Sequence, residues 1–184
     1  GYYGKYTDFI IRTLVMQSKT GNPADLNNPE LRQVYSVPGN TDSEVKTYGY
    51  GISFDYRLPK NFMLGANFTS DVLEDVPAGY VAFFNSPKYR ANVNFGNTGF
   101  GAKKQWGFNV VYRWQDAFFY EGDFASGMVE QIHTLDAQVS YKMQESKSVI
   151  KIGANNLLNQ YYRNAAGNPS IGGLYYVSYG YNIF

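Results

Sequence analysis

The chain has 184 residues, no cysteine, and 16 Lys and Arg against 15 Asp and Glu, for a formal net charge of +1. The two signs are interspersed, which excludes the basic stripe of a nucleic-acid binder. The missing thiols exclude disulfide frameworks, Cys-based zinc sites and thiol chemistry.

There is no apolar run of the roughly 18 residues that a spanning helix needs. Yet 18 Tyr, 13 Phe and 19 Gly, with few strong helix formers, favour strands. An opening strand is expected over Tyr2 to Met16, blurred where Phe9, Ile10 and Ile11 break the alternation. The clearest period-two run follows: Tyr48, Tyr50, Ile52, Phe54, Tyr56 and Leu58 lie against Thr47, Gly49, Gly51, Ser53, Asp55 and Arg57. Next come Phe62 to Thr69, Lys88 to Phe95, Trp106 to Gln115, Leu135 to Met143, Ile150 to Asn155 and Tyr175 to Ile183. In each, one face is apolar or aromatic and the other small or polar. That makes about eight strands of roughly ten residues, the length a tilted strand needs to cross a bilayer.

Tight and long connections alternate. "RLPKN" (Arg57 to Asn61), "NTGFGAKK" (Asn97 to Lys104) and "QESK" (Gln144 to Lys147) are short. About Gln17 to Val45, Ser70 to Ser86, Ala117 to His133 and Leu158 to Gly173 are long. An up-and-down barrel threaded through an outer membrane has this asymmetry. The apolar faces also carry rings at both ends: Tyr89 and Phe95 bracket Ala91 and Val93, and Trp106 and Trp114 bracket Val110. This suits two interfacial aromatic girdles. The fold class is therefore all-β, an antiparallel up-and-down transmembrane β-barrel, preferred over a soluble barrel or sandwich. The charges Asp55, Arg57, Lys88, Arg90, Arg113, Asp136 and Lys142 are then expected to face a wet lumen or a plug, because a Lys or Arg on the lipid side at mid-depth costs about 2–4 kcal/mol.

Little of the chain points to chemistry. His133 is the only histidine; it sits at a loop edge with no nucleophile elbow near it. "GNTGFGAKK" departs from a phosphate-binding loop, and glycines at positive φ in a turn explain it better. "DLNNPE" (Asp25 to Glu30) lacks calcium-loop spacing and reads as capping and turn residues. "NFT" (Asn67 to Thr69) falls in a strand and is discounted as a glycosylation acceptor. Neither a metal site nor a cofactor is expected, and the chain is not read as an enzyme.

Four stretches go beyond barrel patterning. "IKIGANNLLNQYYR" (Ile150 to Arg163) resembles the penultimate strand of TonB-dependent outer-membrane receptors, with Asn156, Leu157, Leu158, Asn159, Tyr161 and Tyr162 filling that pattern. "NPSIGGLYYVSYGYNIF", "SPKYRANVNFG" and "WGFNVVYRWQDAFFYEGDF" resemble strands of SusC/RagA-type and related receptors. The resemblance implies the C-terminal third of a 22-stranded barrel spanning residues 1–184, with the plug absent from this chain. The closing residues Tyr175, Val177, Tyr179, Tyr181, Ile183 and Phe184 would then be the signal read by the barrel-assembly machinery, Phe184 standing one step out of phase. It further implies nutrient import across the outer membrane, with lipid, the rest of the barrel and plug, and TonB as partners, and allows for a SusD-like lipoprotein on the loops. Ligand contacts would come from loop residues Tyr120, Glu121, Asp123, Phe124, Tyr162 and Arg163, for which packing of loop against loop is the plain alternative. Frequent glycine on the polar faces fits a plug or water better than a small filled lumen. A self-contained eight-stranded barrel is the alternative.

Overall fold

The computed structural model describes residues 1–123 and 125–181. Twelve strands form: β1 (Tyr2–Tyr6), β2 (Ile10–Ser18), β3 (Arg32–Asn40), β4 (Val45–Leu58), β5 (Phe62–Glu74), β6 (Tyr89–Phe100), β7 (Trp106–Gln115), β8 (Phe118–Tyr120), β9 (Gly127–Val129), β10 (Ile132–Met143), β11 (Ser148–Asn155) and β12 (Leu174–Tyr181). Eight of them build one antiparallel sheet in the order β1-β4-β5-β6-β7-β10-β11-β12. β2 with β3, and β8 with β9, are separate hairpins within the long connections. Among the described residues no helix is long and apolar enough to cross a membrane.

The ladder register separates the two faces. One row of directly opposed residues reads Tyr56, Leu64, Phe95, Val110, Ala137, Ala154 and Tyr175 from β4 to β12. The adjoining row reads Arg57, Met63, Gly96, Asn109, Gln138, Gly153 and Tyr176. Because side chains alternate across a strand, every strand sends its apolar set to the same side. That side is bare: Ile52, Tyr56, Ile152 and Val177 are 61–73% exposed. Such a continuous apolar wall is incompatible with water and suits lipid.

Rings gather at its two ends. Near the tight turns Phe62 stacks on Phe95 at 5.6 Å, Phe108 packs against both, and Trp106 lies 4.6 Å from Tyr141. Near the long connections Phe68 lies between Tyr50 and Tyr89. On β7 the eight steps from Trp106 to Trp114 span roughly 27 Å along the strand, or about 20 Å after tilting, close to the height of a membrane-facing apolar band.

Among the described residues the sheet does not close: β1 pairs only with Val45–Gly49, leaving Tyr50–Leu58 of β4 without a partner on that side, and β12 pairs only with β11.

Three expectations change. The opening strand is two strands, because Asp8 adopts a left-handed φ of 57° and turns the chain between β1 and β2; the broken alternation at Phe9 to Ile11 marks that bend. β5 and β6 run beyond their expected ends, to Glu74 and Phe100, so the connection after β6 narrows to residues 101–105. Of its glycines only Gly101 has a positive φ (87°), whereas Gly96 and Gly99 lie in β6. A bulge between Asn97 and Phe100 absorbs the difference.

Candidate functional site

The polar face and the long-connection end hold most of the residues singled out from the sequence. On the polar face, Arg90 pairs with Asp71 and Arg113 with Asp136 across the strands. Asp71 also accepts the Tyr2 hydroxyl at 2.9 Å, and the buried Asp136 accepts the backbone N–H of Asn156 at 2.8 Å. The Lys142 ammonium donates to the Thr98 carbonyl at 3.0 Å. Lys88 precedes β6 and sits 5.3 Å from the Tyr89 ring centre. Asp55 and Arg57 are exposed on the same face. The polar face is thus partly neutralised by its own ion pairs, with Tyr2 and Asp71 as members that period-two reading did not single out.

Some glycines on that face are covered rather than vacant. A Cβ on Gly153 would stand 2.6 Å from the Tyr176 hydroxyl and 2.9 Å from the Ala137 carbonyl. Gly49 lies under the Tyr2 ring in the same way. The expectation of an underfilled lumen therefore needs correction at these positions: inward tyrosines from neighbouring strands occupy the space that the missing side chains leave.

At the other end, three long connections meet around Arg12. Arg12 and Val81 exchange backbone hydrogen bonds of 2.9 and 2.7 Å, joining β2 to the connection between β5 and β6. The Arg12 guanidinium lies 5.1 Å from the Phe83 ring centre and 3.4 Å from Asp123. Glu121 accepts the Phe83 N–H at 2.8 Å, while its own N–H and C=O meet the Asn85 amide at 2.7 and 2.8 Å. Of the expected ligand residues, Glu121 and Asp123 are thus engaged between loops. Tyr120 ends β8, half-buried and paired with Gly127. Tyr162 pairs with Ile171 and Arg163 is exposed. Phe124, Ile183 and Phe184 lie outside the described residues. Sequence reading missed Arg12, Phe83 and Asn85; the one visible signal was a single arginine inside the apolar run "FIIRTLVM".

The tip of the β2–β3 hairpin is organised by Asp25. Its carboxyl is held below the usual carboxylate value, first by the Thr20 hydroxyl and then by Ser18, whose hydroxyl donates at 2.7 Å. Asn22 caps the short 3-10 turn by accepting from Ala24 N–H at 3.0 Å.

The "NNLLNQ" stretch ties three strands together. Asn156, at φ 52°, brackets Gln160 with two side-chain hydrogen bonds of 2.7 and 3.1 Å. Leu157 donates its N–H to Leu135 of β10 and accepts from the Tyr175 hydroxyl of β12. Asn159 accepts the Gly173 N–H at 2.7 Å. This pattern of residues is thus a hydrogen-bonded corner at the top of β10, β11 and β12.

Residues 1–157 match the family model described as TonB dependent receptor-like, beta-barrel. The chain belongs to that family. Its place is the outer membrane, and its open eight-stranded sheet is part of a receptor barrel. The fold resembles the copper transporter OprC (TM-score 0.66, 11% identity), covering 96% of this chain and 27% of that one. It also resembles the siderophore receptor PirA from Acinetobacter baumannii (TM-score 0.63, 18% identity; 97% of this chain, 28% of that one). A third likeness is to the pyoverdine outer membrane receptor FpvA from Pseudomonas aeruginosa PAO1 bound to pyoverdine (TM-score 0.61, 15% identity; 98% and 28%). At these identities the likeness is one of fold. The chain spans a little over a quarter of the length of these receptors. No curated protein matches it.

Proposed function

We propose that this chain is the C-terminal part of the barrel of a TonB-dependent transporter that imports a scarce nutrient, and that it has no catalytic role. The observation that carries the reading is the opposition of faces in one unclosed sheet: a bare aromatic wall on one side and cross-strand ion pairs on the other. An apolar wall of this length needs lipid, and two open sheet edges need further strands, which a 22-stranded barrel around a plug would provide. The plug and the TonB-contacting segment belong to sequence outside this chain. Asp55, Arg57, Lys88 and Lys142 would face plug or water, with Arg90, Arg113 and Asp136 held in their pairs. Tyr120, Tyr162 and Arg163 are the loop residues best placed to meet a ligand, since Glu121 and Asp123 already hold loops together. The solved neighbours named for siderophores and copper make metal chelates and metal ions the first cargo to try, ahead of glycans and peptides.

The test is growth of cells that make the full-length receptor on a panel of ferric siderophores as sole iron source, with and without TonB. Growth on at least one chelate that requires both the receptor and TonB is the expected result. Equal growth with and without TonB, across this panel and matching glycan and peptide panels, would overturn the transport reading.

A further inference from the structure

We propose that the tight-turn end of this barrel segment carries a binding site for the phosphate head group of an anionic phospholipid, centred on Lys103 and Lys104. The inference rests on the barrel's place in a membrane and is independent of any cargo.

Charge is unevenly shared between the two ends. The three tight connections hold four lysines, Lys60, Lys103, Lys104 and Lys147, against one acid, Glu145. Among the described residues no ion pair neutralises any of the four. Three of them, Lys60, Lys104 and Lys147, adopt left-handed backbone at φ 60°, 52° and 49°. Glycine or asparagine is the usual residue there.

The turns are also fixed to one another. The Asn97 side chain, buried in the β6 bulge, donates to the Lys60 carbonyl at 2.8 Å, and Asn61 donates to the Gly99 carbonyl at 3.0 Å. Gln144 donates to the Lys103 carbonyl at 2.9 Å, and the Lys142 N–H to the Gln105 carbonyl at 2.8 Å. Less ordering is therefore left for a ligand to impose than on free loops.

Between the second and third turns lies a groove of about 340 Å³, bordered by Lys103, Gln105, Tyr141 and Glu145. Tyr141 belongs to the lipid-facing wall, where its ring lies against Trp106. The groove thus joins a cationic rim to an apolar surface. A soluble anion would use only the rim. A phospholipid would use both, with its phosphate at Lys103, to which Lys104 of the same turn adds its charge from beside the groove, and its chain along Tyr141 and Val139. Tight turns of such barrels face the periplasm, so the lipid would come from the phospholipid leaflet.

Native mass spectrometry of the full-length receptor, exchanged into mixed micelles of phosphatidylglycerol and phosphatidylcholine, tests this. Retention of phosphatidylglycerol over phosphatidylcholine is expected. The preference should fall roughly fivefold for each lysine removed in Lys103→Gln and the double variant Lys103→Gln/Lys104→Gln. A Lys19→Gln variant at the opposite end should leave it unchanged. Each variant is first checked for the heat-resistant folded band, so lost binding is not confused with lost barrel. Equal retention of the two lipids, or an unaltered preference in the double variant, would overturn the proposal. So would displacement of the lipid by inorganic phosphate at matching concentration, which would mean an anion site with no use for the apolar wall.

Discussion

Gly51 and Gly153 show how differently two polar-face glycines are held. A Cβ on Gly51 meets nothing nearer than the Thr69 methyl at 3.6 Å, whereas one on Gly153 meets the Tyr176 hydroxyl at 2.6 Å and the Ala137 carbonyl at 2.9 Å. The carbonyl is backbone and cannot swing away. Gly153→Ala should destabilise the full-length receptor by about 1–3 kcal/mol, the range for overpacking. Gly51→Ala should stay within about 0.5 kcal/mol. Thermal unfolding of both variants in detergent checks the contrast; equal melting would mean that Tyr176 does not lie over Gly153. Asp25 offers a pH test at the hairpin tip. Its folded carboxyl titrates below the ordinary value of 3.8, so its stabilisation is present above that pH and lost as pH falls through the lowered folded value. Pepsin cutting between Ser18 and Leu31 should therefore rise steeply below pH 3.8 in the native sequence. In Asp25→Asn, which has no charge to lose, that added rise should be absent.

At the scale of elements, the long connections are structured rather than slack. β2–β3 and β8–β9 are hairpins, and Arg12, Phe83, Asn85, Glu121 and Asp123 bind three connections into one cluster. Arg12→Ala removes an ion pair whose side chains are both 45% exposed and one cation–π contact. Each is worth about 1 kcal/mol or less at such exposure. The expected outcome is faster amide exchange at Val81 to Asn85 with the barrel melting temperature unchanged. A fall in barrel melting would place this cluster in the global core instead. The corner at Asn156 differs, because Asn156 itself is buried and its hydrogen bonds to Gln160 are partly buried. Asn156→Ala strands the Gln160 N–H and C=O and also loses the asparagine that best tolerates φ 52°. A loss of about 1–3 kcal/mol should follow in urea unfolding; a neutral result would mean that β11 and β12 hold without this corner.

At the scale of the molecule, two edges control behaviour. Tyr50–Leu58 of β4 and the outer side of β12 carry backbone groups without strand partners among the described residues. In detergent, the isolated 184-residue polypeptide should exchange its β4 and β12 amides much faster than those of β6 and β7, which are paired on both sides. In the full-length receptor this difference should vanish. Uniform protection in the isolated chain would mean that the edges find each other, and the open-sheet description would fail.

Alternation was legible because a strand's period is set by its own backbone. Residues Tyr48 to Leu58 display both faces without knowledge of any partner, and strict alternation of tight and long connections exposes the up-and-down order. The closing residues through Tyr181 were readable for the same reason, with Tyr175, Val177, Tyr179 and Tyr181 all on the apolar side. The sequence by itself thus determined the class, the strands of the main sheet from β4 onward and the side each shows to lipid, but not the split of β1 from β2 or the hairpin strands β3, β8 and β9. It left open what non-local pairing decides. Asp8 ends β1 because β2 turns away to pair with β3, where Ile11 stands opposite Gly39 and Arg12 opposite Pro38, residues far along the chain. Likewise Gly153 is covered only because register sets Tyr176 opposite it, and Glu121 serves the loops only because Phe83 and Asn85 arrive from another connection. Such contacts join residues tens of positions apart, so no local period can announce them; they exist only once the sheet has fixed which strand lies beside which.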